Sequence, residues 1–251
     1  MAKIEEKFKI IRDYCETNAN PDIVRKYARF FTEGYDAYGL DRDAFEAQRD
    51  KWLELWKNEL IFDDYILLGD KLVSTGKYEE ASFALVFLAA MKDRLTADHF
   101  ERIGNWLENG IVNWGHTDVL SGLVLSYFIT KKIIEIESFK EWTKSASKWK
   151  RRSVPVTLID ALKLDIPLER MLAVIEPLMP DNDKFVQKGL GWFLREAWKK
   201  YPEKTEDFLL KWKDSCGRTI IQYATEKMDR EYKSRFKKGM KENVPGEEKS
   251  S

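Results

Sequence analysis

Residues 113–118, NWGHTD, place a tryptophan four positions before an aspartate, with one of the chain's two histidines between them. Thr117 is a suitable N-cap, which predicts Asp118 in the first turn of a helix running to Lys131, where the helix dipole keeps a carboxylate ionised. An ionised carboxylate beside an indole face can stabilise positive charge that develops in a reaction. The same pattern also fits an ordinary helix start above a core tryptophan, so both interpretations stay open.

A second candidate is the basic stretch KEWTKSASKWKRRS at 140–153. Its two tryptophans, Trp142 and Trp149, are seven residues apart, which predicts that they share a helix face. The second tryptophan is surrounded by cations at Lys148, Lys150, Arg151 and Arg152. Basic groups interleaved with aromatic rings suit a phosphate backbone with nucleosides nearby. The alternative is a core tryptophan on a solvated basic helix.

A third candidate is a stripe along the segment DKFVQKGLGWFLREAWKKYP at 183–202. Steps of three and four residues connect Lys184, Lys188, Trp192, Arg195 and Lys199. Such steps predict one continuous face of a helix, with a tryptophan in a row of cations. Two glycines inside this helix, at 189 and 191, each cost about 1 kcal/mol relative to alanine. Either a ligand approaches the backbone there or two helices cross closely.

These residues must be positioned by helices, because nearly every segment has the apolar spacing of an amphipathic helix. Proline, glycine and asparagine interrupt the pattern at short intervals, which predicts about a dozen helices. Neighbouring helices would pair into units of roughly 40 residues, as in HEAT-like repeats. We therefore expect an all-α solenoid with a concave surface, forming one domain over residues 1–240. The run VPVTLI at 154–159 is interpreted as a buried helix, and the polar residues 241–251 as a disordered tail.

Composition limits the class of protein. Of 251 residues, 43% are hydrophobic and 34% charged, which suits an extended helical protein with a large wetted surface. No apolar run approaches the roughly 20 residues of a membrane helix, and the first residues lack a signal peptide's apolar segment. We expect an intracellular, cytoplasmic protein that does not enter the membrane. Cys15 and Cys216, at opposite ends of the chain, are expected to be free thiols.

The net charge is zero but unevenly distributed. Residues 1–110 contain 16 basic and 22 acidic side chains, whereas residues 111–251 contain 27 and 21. The positive excess begins where the first candidate segment begins. This asymmetry favours an anionic partner, although a solvated basic surface would also produce it.

The three clusters, in this order, resemble the DNA alkylation repair family, the AlkD-type bacterial DNA glycosylases built from HEAT-like repeats. The family's W-x-x-x-D pair resembles Trp114 and Asp118, and its W-x-x-R resembles Trp149 and Arg152. Its longer segment F-[VI]-Q-K-x-[IL]-G-W-x-L-R-E resembles residues 185–196. The resemblance covers the second half of the chain better than the first.

The resemblance implies a monomeric enzyme that excises purines alkylated at N3 or N7 from double-stranded DNA, without cofactor or metal. Such a base is cationic and already a good leaving group, so positive charge develops on the sugar. Asp118 would stabilise this charge and position a water, while Trp114 and Trp192 would pack on the sugar. No lysine is marked out as a Schiff-base nucleophile, so no strand cleavage is expected. The residues expected to contact DNA are Arg152, Arg195, Lys188, Trp149, Arg151, Lys148, Lys184 and Lys199.

Two other functions stay open. A non-catalytic DNA binder of the same fold, recognising bent or damaged duplex, would use these cations without needing Asp118. A helical-repeat protein adaptor would need neither and should have an apolar concave patch. His116 is interpreted as a polar turn residue, or alternatively as a phosphate or sugar contact. The sequence contains no phosphate-loop, dinucleotide or nucleophile-elbow motif and no metal-ligand spacing. It leaves open whether the basic stretch MDREYKSRFKKGMK touches DNA.

Overall fold

The structure, a computed structural model, describes residues 2–238, and all regular secondary structure within this range is helical, as the sequence predicts. The first half contains α1 (Ala2–Thr17), α2 (Pro21–Ala28), α3 (Arg42–Trp56), α4 (Phe62–Ser74), α5 (Tyr78–Ala90), α6 (His99–Gly104) and α7 (Trp106–Asn109). The second half contains α8 (Trp114–Leu120), α9 (Ser126–Thr130), α10 (Lys148–Ala161), α11 (Leu168–Ile175), α12 (Lys184–Lys200), α13 (Pro202–Trp212), α14 (Arg218–Ala224) and α15 (Arg230–Lys233). The predicted tail, 241–251, lies outside the described residues.

Six of these helices form one row in which each packs on the next: α3, α5, α8, α10, α12 and α14. Their first residues recur every 34 to 36 positions along the chain. This period is somewhat shorter than the roughly 40 residues expected from the sequence; in the connection between α9 and α10 a 3₁₀ segment, Ile136–Lys144, stands in place of an α-helix. The row is the element that brings residues from distant parts of the sequence onto one surface.

A continuous hydrophobic cluster extends along the row from Ile4 to Phe236. Its largest fully buried side chains include Trp56, Phe87 and Phe193. The segment at 154–159 lies inside α10 with Pro155 buried, which confirms the helical interpretation. No helix within residues 2–238 is both long and apolar enough to cross a bilayer. The thiols of Cys15 and Cys216 are both free.

The helix that carries the NWGHTD segment continues from Trp114 to Thr130, close to the predicted end. Between α8 and α9 it widens into a π-helical turn, Ser121–Leu125. The hydroxyl groups of Thr117 and Ser121 each donate to the backbone carbonyl four residues earlier, at 2.9 and 2.7 Å. Such bonds compete with the regular helical pattern and bend helices. The irregular turn therefore begins directly after the turn that holds Asp118.

Candidate active site

A cavity of about 270 Å³ opens where α8, α10, α12 and α14 lie side by side. Its lining residues are Trp114, Asp118, Arg152, Phe185, Lys188, Trp192, Arg195 and Tyr223. The structure thus brings the three residues assigned to chemistry, Trp114, Asp118 and Trp192, to one place. Trp114 and Asp118 come from the first cluster, on α8, and Trp192 comes from the third, on α12; the row of helices brings the two clusters together.

Asp118 is held in the second turn of α8, not in the first. The side chain of Asn113 caps the helix by accepting from the His116 backbone N–H at 2.8 Å. Thr117, the N-cap expected from the sequence, is instead buried inside the helix and donates to the carbonyl of Asn113. That prediction was wrong because two good capping residues stand four positions apart and the earlier one starts the helix. Since the dipole effect fades after the first turn, Asp118 depends on a different charge.

That charge is Arg152. Its Nε lies 2.9 Å from Asp118 Oδ1 and its Nη2 lies 2.8 Å from Oδ2, a bidentate pair. Its Nη1 donates to the Phe185 carbonyl at 2.6 Å. The side chains of Arg152 and Asp118 are only 7% and 17% exposed. Burial raises the pKa of the Asp118 carboxyl above its usual range, and the hydrogen bonds and charge of Arg152 oppose that rise. Arg152 was expected to hold a phosphate, but here it is committed to three acceptors within the protein.

Trp114 is fixed from behind by the N-terminal part of the chain. Its Nε1 donates to the Phe30 carbonyl at 3.1 Å, and its ring stacks on Phe31 with centroids 5.7 Å apart. Phe31 in turn stacks on Tyr35 at 4.7 Å. The indole is therefore part of an aromatic stack and does not swing freely into the cavity.

His116 is buried in the first turn of α8, which corrects its interpretation as a turn residue. Its Nε2 lies 2.9 Å from Ser82 Oγ, and its Nδ1 lies 2.9 Å from Asn113 Nδ2. The ring stacks on Tyr78 with centroids 4.4 Å apart. Because burial disfavours the charged ring, the pKa of His116 falls to about 4, and the residue is neutral at physiological pH. In this position it supports the helix start and does not line the cavity.

All residues of the predicted stripe lie on α12, but its cations differ in their partners. Arg195 pairs with Glu226 at 2.6 Å and with Glu196 at 3.1 Å, and Lys199 pairs with Glu196 at 2.7 Å. Lys184 and Lys188 have no ion pair among the described residues; Lys188 lies over the rings of Phe185 and Tyr223. Trp192 stands partly exposed between these two groups.

The two glycines of this helix serve helix packing. A Cβ at Gly191 would lie 2.4 Å from the Cβ of Tyr223 and 2.9 Å from the Ile220 carbonyl oxygen, both on α14. A Cβ at Gly189 would lie 3.3 Å from Arg152 Cγ on α10. Of the two explanations that the sequence left open, the close helix crossing is the one observed.

The basic cluster at 148–152 points largely into the protein. Trp149 is 7% exposed and packs on Phe185, with ring centroids 5.0 Å apart. Arg151 pairs with Asp181 at 2.6 Å, and Lys148 pairs with Glu33. Trp142 and Trp149 do not share a helix face, because Trp142 lies in a separate 3₁₀ segment, Ile136–Lys144. Each residue of this cluster that is expected to contact DNA, Arg152 included, therefore has a partner inside the protein.

Four further residues of the site were missed from the sequence, and one of them, Phe185, lines the cavity from α12. Tyr223 lines the cavity from α14, and Phe30 and Phe31 brace Trp114 from an irregular segment. The only signal for Tyr223 was the apolar spacing of Ile220 and Ala224, which leaves it on an uncovered face. Nothing in the local sequence distinguishes Phe30 or Phe31 from ordinary core residues. Among residues 2–238, no three His, Cys, Asp or Glu side chains cluster closely enough to hold a metal ion.

Comparison with known proteins identifies relatives of the chain. A family model described as DNA alkylation repair enzyme matches residues 11–228. The fold is similar to a predicted DNA alkylation repair enzyme from Enterococcus faecalis, with a TM-score of 0.74 and 13% identity over 85% of this chain and 98% of the other. It is also similar to AlkD2 from Streptococcus mutans, with a TM-score of 0.57 and 18% identity over 82% and 99%. No curated protein matches the chain significantly.

Proposed function

Because the chain belongs to the DNA alkylation repair enzyme family, we propose that it is a DNA glycosylase that releases cationic N3- or N7-alkylated purines from duplex DNA. One arrangement supports this reaction above others: a buried carboxylate, Asp118, lies in a cavity walled by Trp114 and Trp192. A carboxylate and two indole rings together favour positive charge. A reaction that creates positive charge on a sugar is the chemistry such a cavity suits.

The proposed reaction needs no acid from the protein. The C1′–N bond breaks, and its electron pair passes to the base nitrogen and cancels the positive charge of the alkylated base. Positive charge then lies on the deoxyribose, where Asp118 stabilises it across the cavity. A water oxygen forms the new bond to C1′, and its proton leaves to solvent. Each oxygen of a carboxylate has a second lone pair, so Asp118 can face the sugar while Arg152 holds it from behind.

The unpaired cations of α12 are the first candidates for phosphate contacts. Lys184 and Lys188 have no carboxylate partner among residues 2–238, whereas a phosphate at Arg195 or Lys199 must compete with Glu196. We therefore infer that the two lysines contact the DNA backbone directly and that Arg195 exchanges partners when DNA binds. The phosphate contacts position the duplex and carry no sequence preference.

The test is single-turnover release of 7-methylguanine from methylated duplex DNA by the wild type and by Asp118→Asn. Asparagine keeps the shape but not the charge, so we expect a loss of roughly 10²- to 10³-fold with little change in DNA affinity. Asp160→Asn is the matched control, because Asp160 lies on α10 and pairs with Lys163. If Asp118→Asn releases the base at the rate of the wild type, the proposal is contradicted.

One observation favours the non-catalytic alternative. Both oxygens of Asp118 already accept from Arg152, as they would in a purely structural ion pair. A DNA binder of this kind would bind bent or damaged duplex and release no base. Binding without release by the wild type would therefore support that function.

A further inference from the structure

A second cleft, of about 720 Å³, lies at the C-terminal end of the row, between α14, α15 and the following 3₁₀ turn Ser234–Phe236. We name it the C-terminal cleft. Its lining residues are Arg218, Gln222, Thr225, Arg230, Glu231, Lys233, Ser234 and Lys237. All eight are polar, and four are cations against one carboxylate. The cleft therefore offers charge and hydrogen-bond donors, and none of these eight side chains is an apolar one that could anchor a ring.

The four cations of this cleft have no carboxylate partner among residues 2–238, as is also true of Lys184 and Lys188 on α12. Arg218 Nη1 donates to the Phe236 carbonyl at 3.0 Å, and Lys233 Nζ donates to the Glu226 carbonyl at 3.1 Å. These bonds orient the two side chains but leave their charge uncompensated. Around the active site, in contrast, Arg152 and Arg195 are already paired with carboxylates.

The C-terminal cleft is adjacent to the active-site cavity. Gln222 lines the cleft and the next residue, Tyr223, lines the cavity. Their Cα atoms are about 3.8 Å apart, and a helix with its side chains is about 10–12 Å across. One helix, α14, thus separates the two. Phosphates follow one another about every 3.4 Å along a DNA strand, a spacing that is short compared with the width of one helix.

We propose that the C-terminal cleft binds the phosphate backbone of the duplex beyond the lesion, through Arg218, Arg230, Lys233 and Lys237. This rests on the proposed DNA-repair function and assigns to it a second anchoring surface. Arginine and lysine neutralise phosphates, while Gln222 and Ser234 can donate hydrogen bonds to phosphate oxygens. A nucleotide ligand fits less well, because its base would need stacking and the eight lining residues include no aromatic ring. The basic stretch at 228–241 then contacts DNA through three of these four cations.

The test measures the affinity for an undamaged duplex across a range of salt concentrations. The double variant Arg230→Gln/Lys237→Gln removes two cations whose side chains make no hydrogen bond or ion pair with the described residues. The slope of log K against log salt is negative, and each lost phosphate contact reduces its magnitude by about 0.9, so we expect the magnitude to fall by about 2. Lys9→Gln/Lys51→Gln, two exposed lysines on α1 and α3, is the matched control and should keep the wild-type slope.

The single carboxylate of the cleft, Glu231, provides a variant with the opposite expected effect on DNA affinity. Glu231→Gln removes the negative charge from the cleft, so it should raise the affinity for duplex DNA at low salt. Titration with inorganic phosphate at the same ionic strength distinguishes the backbone of a duplex from a free anion. Saturable phosphate binding that is lost in the double variant, with an unchanged DNA slope, would overturn the assignment to duplex.

The outcomes separate this proposal from the glycosylase proposal. If the folded double variant keeps the wild-type salt slope, only the proposal for the cleft is overturned. A shallower slope in the double variant, together with no base release by the wild type, supports the proposal for the cleft and overturns the glycosylase proposal. If the wild type binds no duplex at all, both are overturned. Circular dichroism of each variant establishes that it is folded.

Discussion

Arg152 grips both oxygens of Asp118 while its remaining nitrogen donates to the Phe185 carbonyl, so that one guanidinium joins α8, α10 and α12. The arginine fork matches a carboxylate in one plane and at two points. Asp118 therefore cannot rotate without breaking two hydrogen bonds. The pair fixes the direction in which the carboxylate faces the cavity.

The first prediction concerns this orientation. Arg152→Lys keeps the positive charge but offers a single point of contact, so Asp118 stays ionised and loses its fixed direction. We expect base release to fall by at least about tenfold, equivalent to roughly 1.4 kcal/mol of activation free energy, while DNA affinity stays close to that of the wild type. Single-turnover kinetics and a binding titration measure the two effects. If Arg152→Lys releases the base at the rate of the wild type, the orientation of Asp118 is unimportant for the reaction.

The second prediction concerns acid. Burial raises the pKa of Asp118, so its carboxyl binds a proton at a higher pH than an ordinary aspartate does. The rate of base release should be highest at pH values above this pKa and should fall as the pH drops through it. Arg152 opposes the rise, so in Arg152→Gln the acid limb should move to higher pH. Release rates against pH, corrected for spontaneous depurination, measure this. If the release rate falls at the same pH in both proteins, the titrating group is not Asp118.

The third prediction compares two tryptophans. Trp192 is partly exposed in the cavity, whereas Trp149 is 7% exposed and packs on Phe185. Trp192→Ala should reduce base release with a melting temperature near that of the wild type. Trp149→Ala should destabilise the fold by roughly 3–5 kcal/mol because it leaves a cavity in the core. Thermal unfolding and release assays on both variants check this, and a large loss of stability in Trp192→Ala would contradict it.

The fourth prediction concerns folding stability and His116. The pKa of His116 is about 4 in the folded protein against 6.5 for the free side chain, so the unfolded chain binds the extra proton between these values. The unfolding free energy should be insensitive to this group above pH 6.5 and lose roughly 3 kcal/mol as the pH falls to 4. Urea unfolding at several pH values measures it. In His116→Gln this dependence should disappear, whereas His99→Gln should retain it.

The local parts of the site were predictable from the sequence. The stripe through Lys188, Trp192 and Arg195 follows from steps of four and three residues. Periodicity of this kind depends only on helix geometry. Residues of one helix can thus be grouped correctly from their spacing alone.

The partners across helices were not predictable. Lys148 pairs with Glu33, 115 positions away, and Arg151 pairs with Asp181, 30 positions away, so cations that suggested a DNA surface are neutralised internally. The choice of cap also depends on a distant residue, because the His116 ring that contacts Asn113 is held by Ser82, 34 positions earlier. Spacing along one helix contains no information about which acid a neighbouring helix presents.

The brace behind Trp114 has a consequence for how the protein is made. Phe30 lies 84 residues before Trp114, and Arg152 lies 34 residues after Asp118. During synthesis at about 5–20 residues per second, the carboxylate leaves the ribosome roughly 2–7 seconds before its arginine. Until then Asp118 lacks the guanidinium that orients it. A chain that ends before residue 152 thus keeps the contacts of Phe30 and Phe31 with Trp114 but has no fixed carboxylate beside that ring.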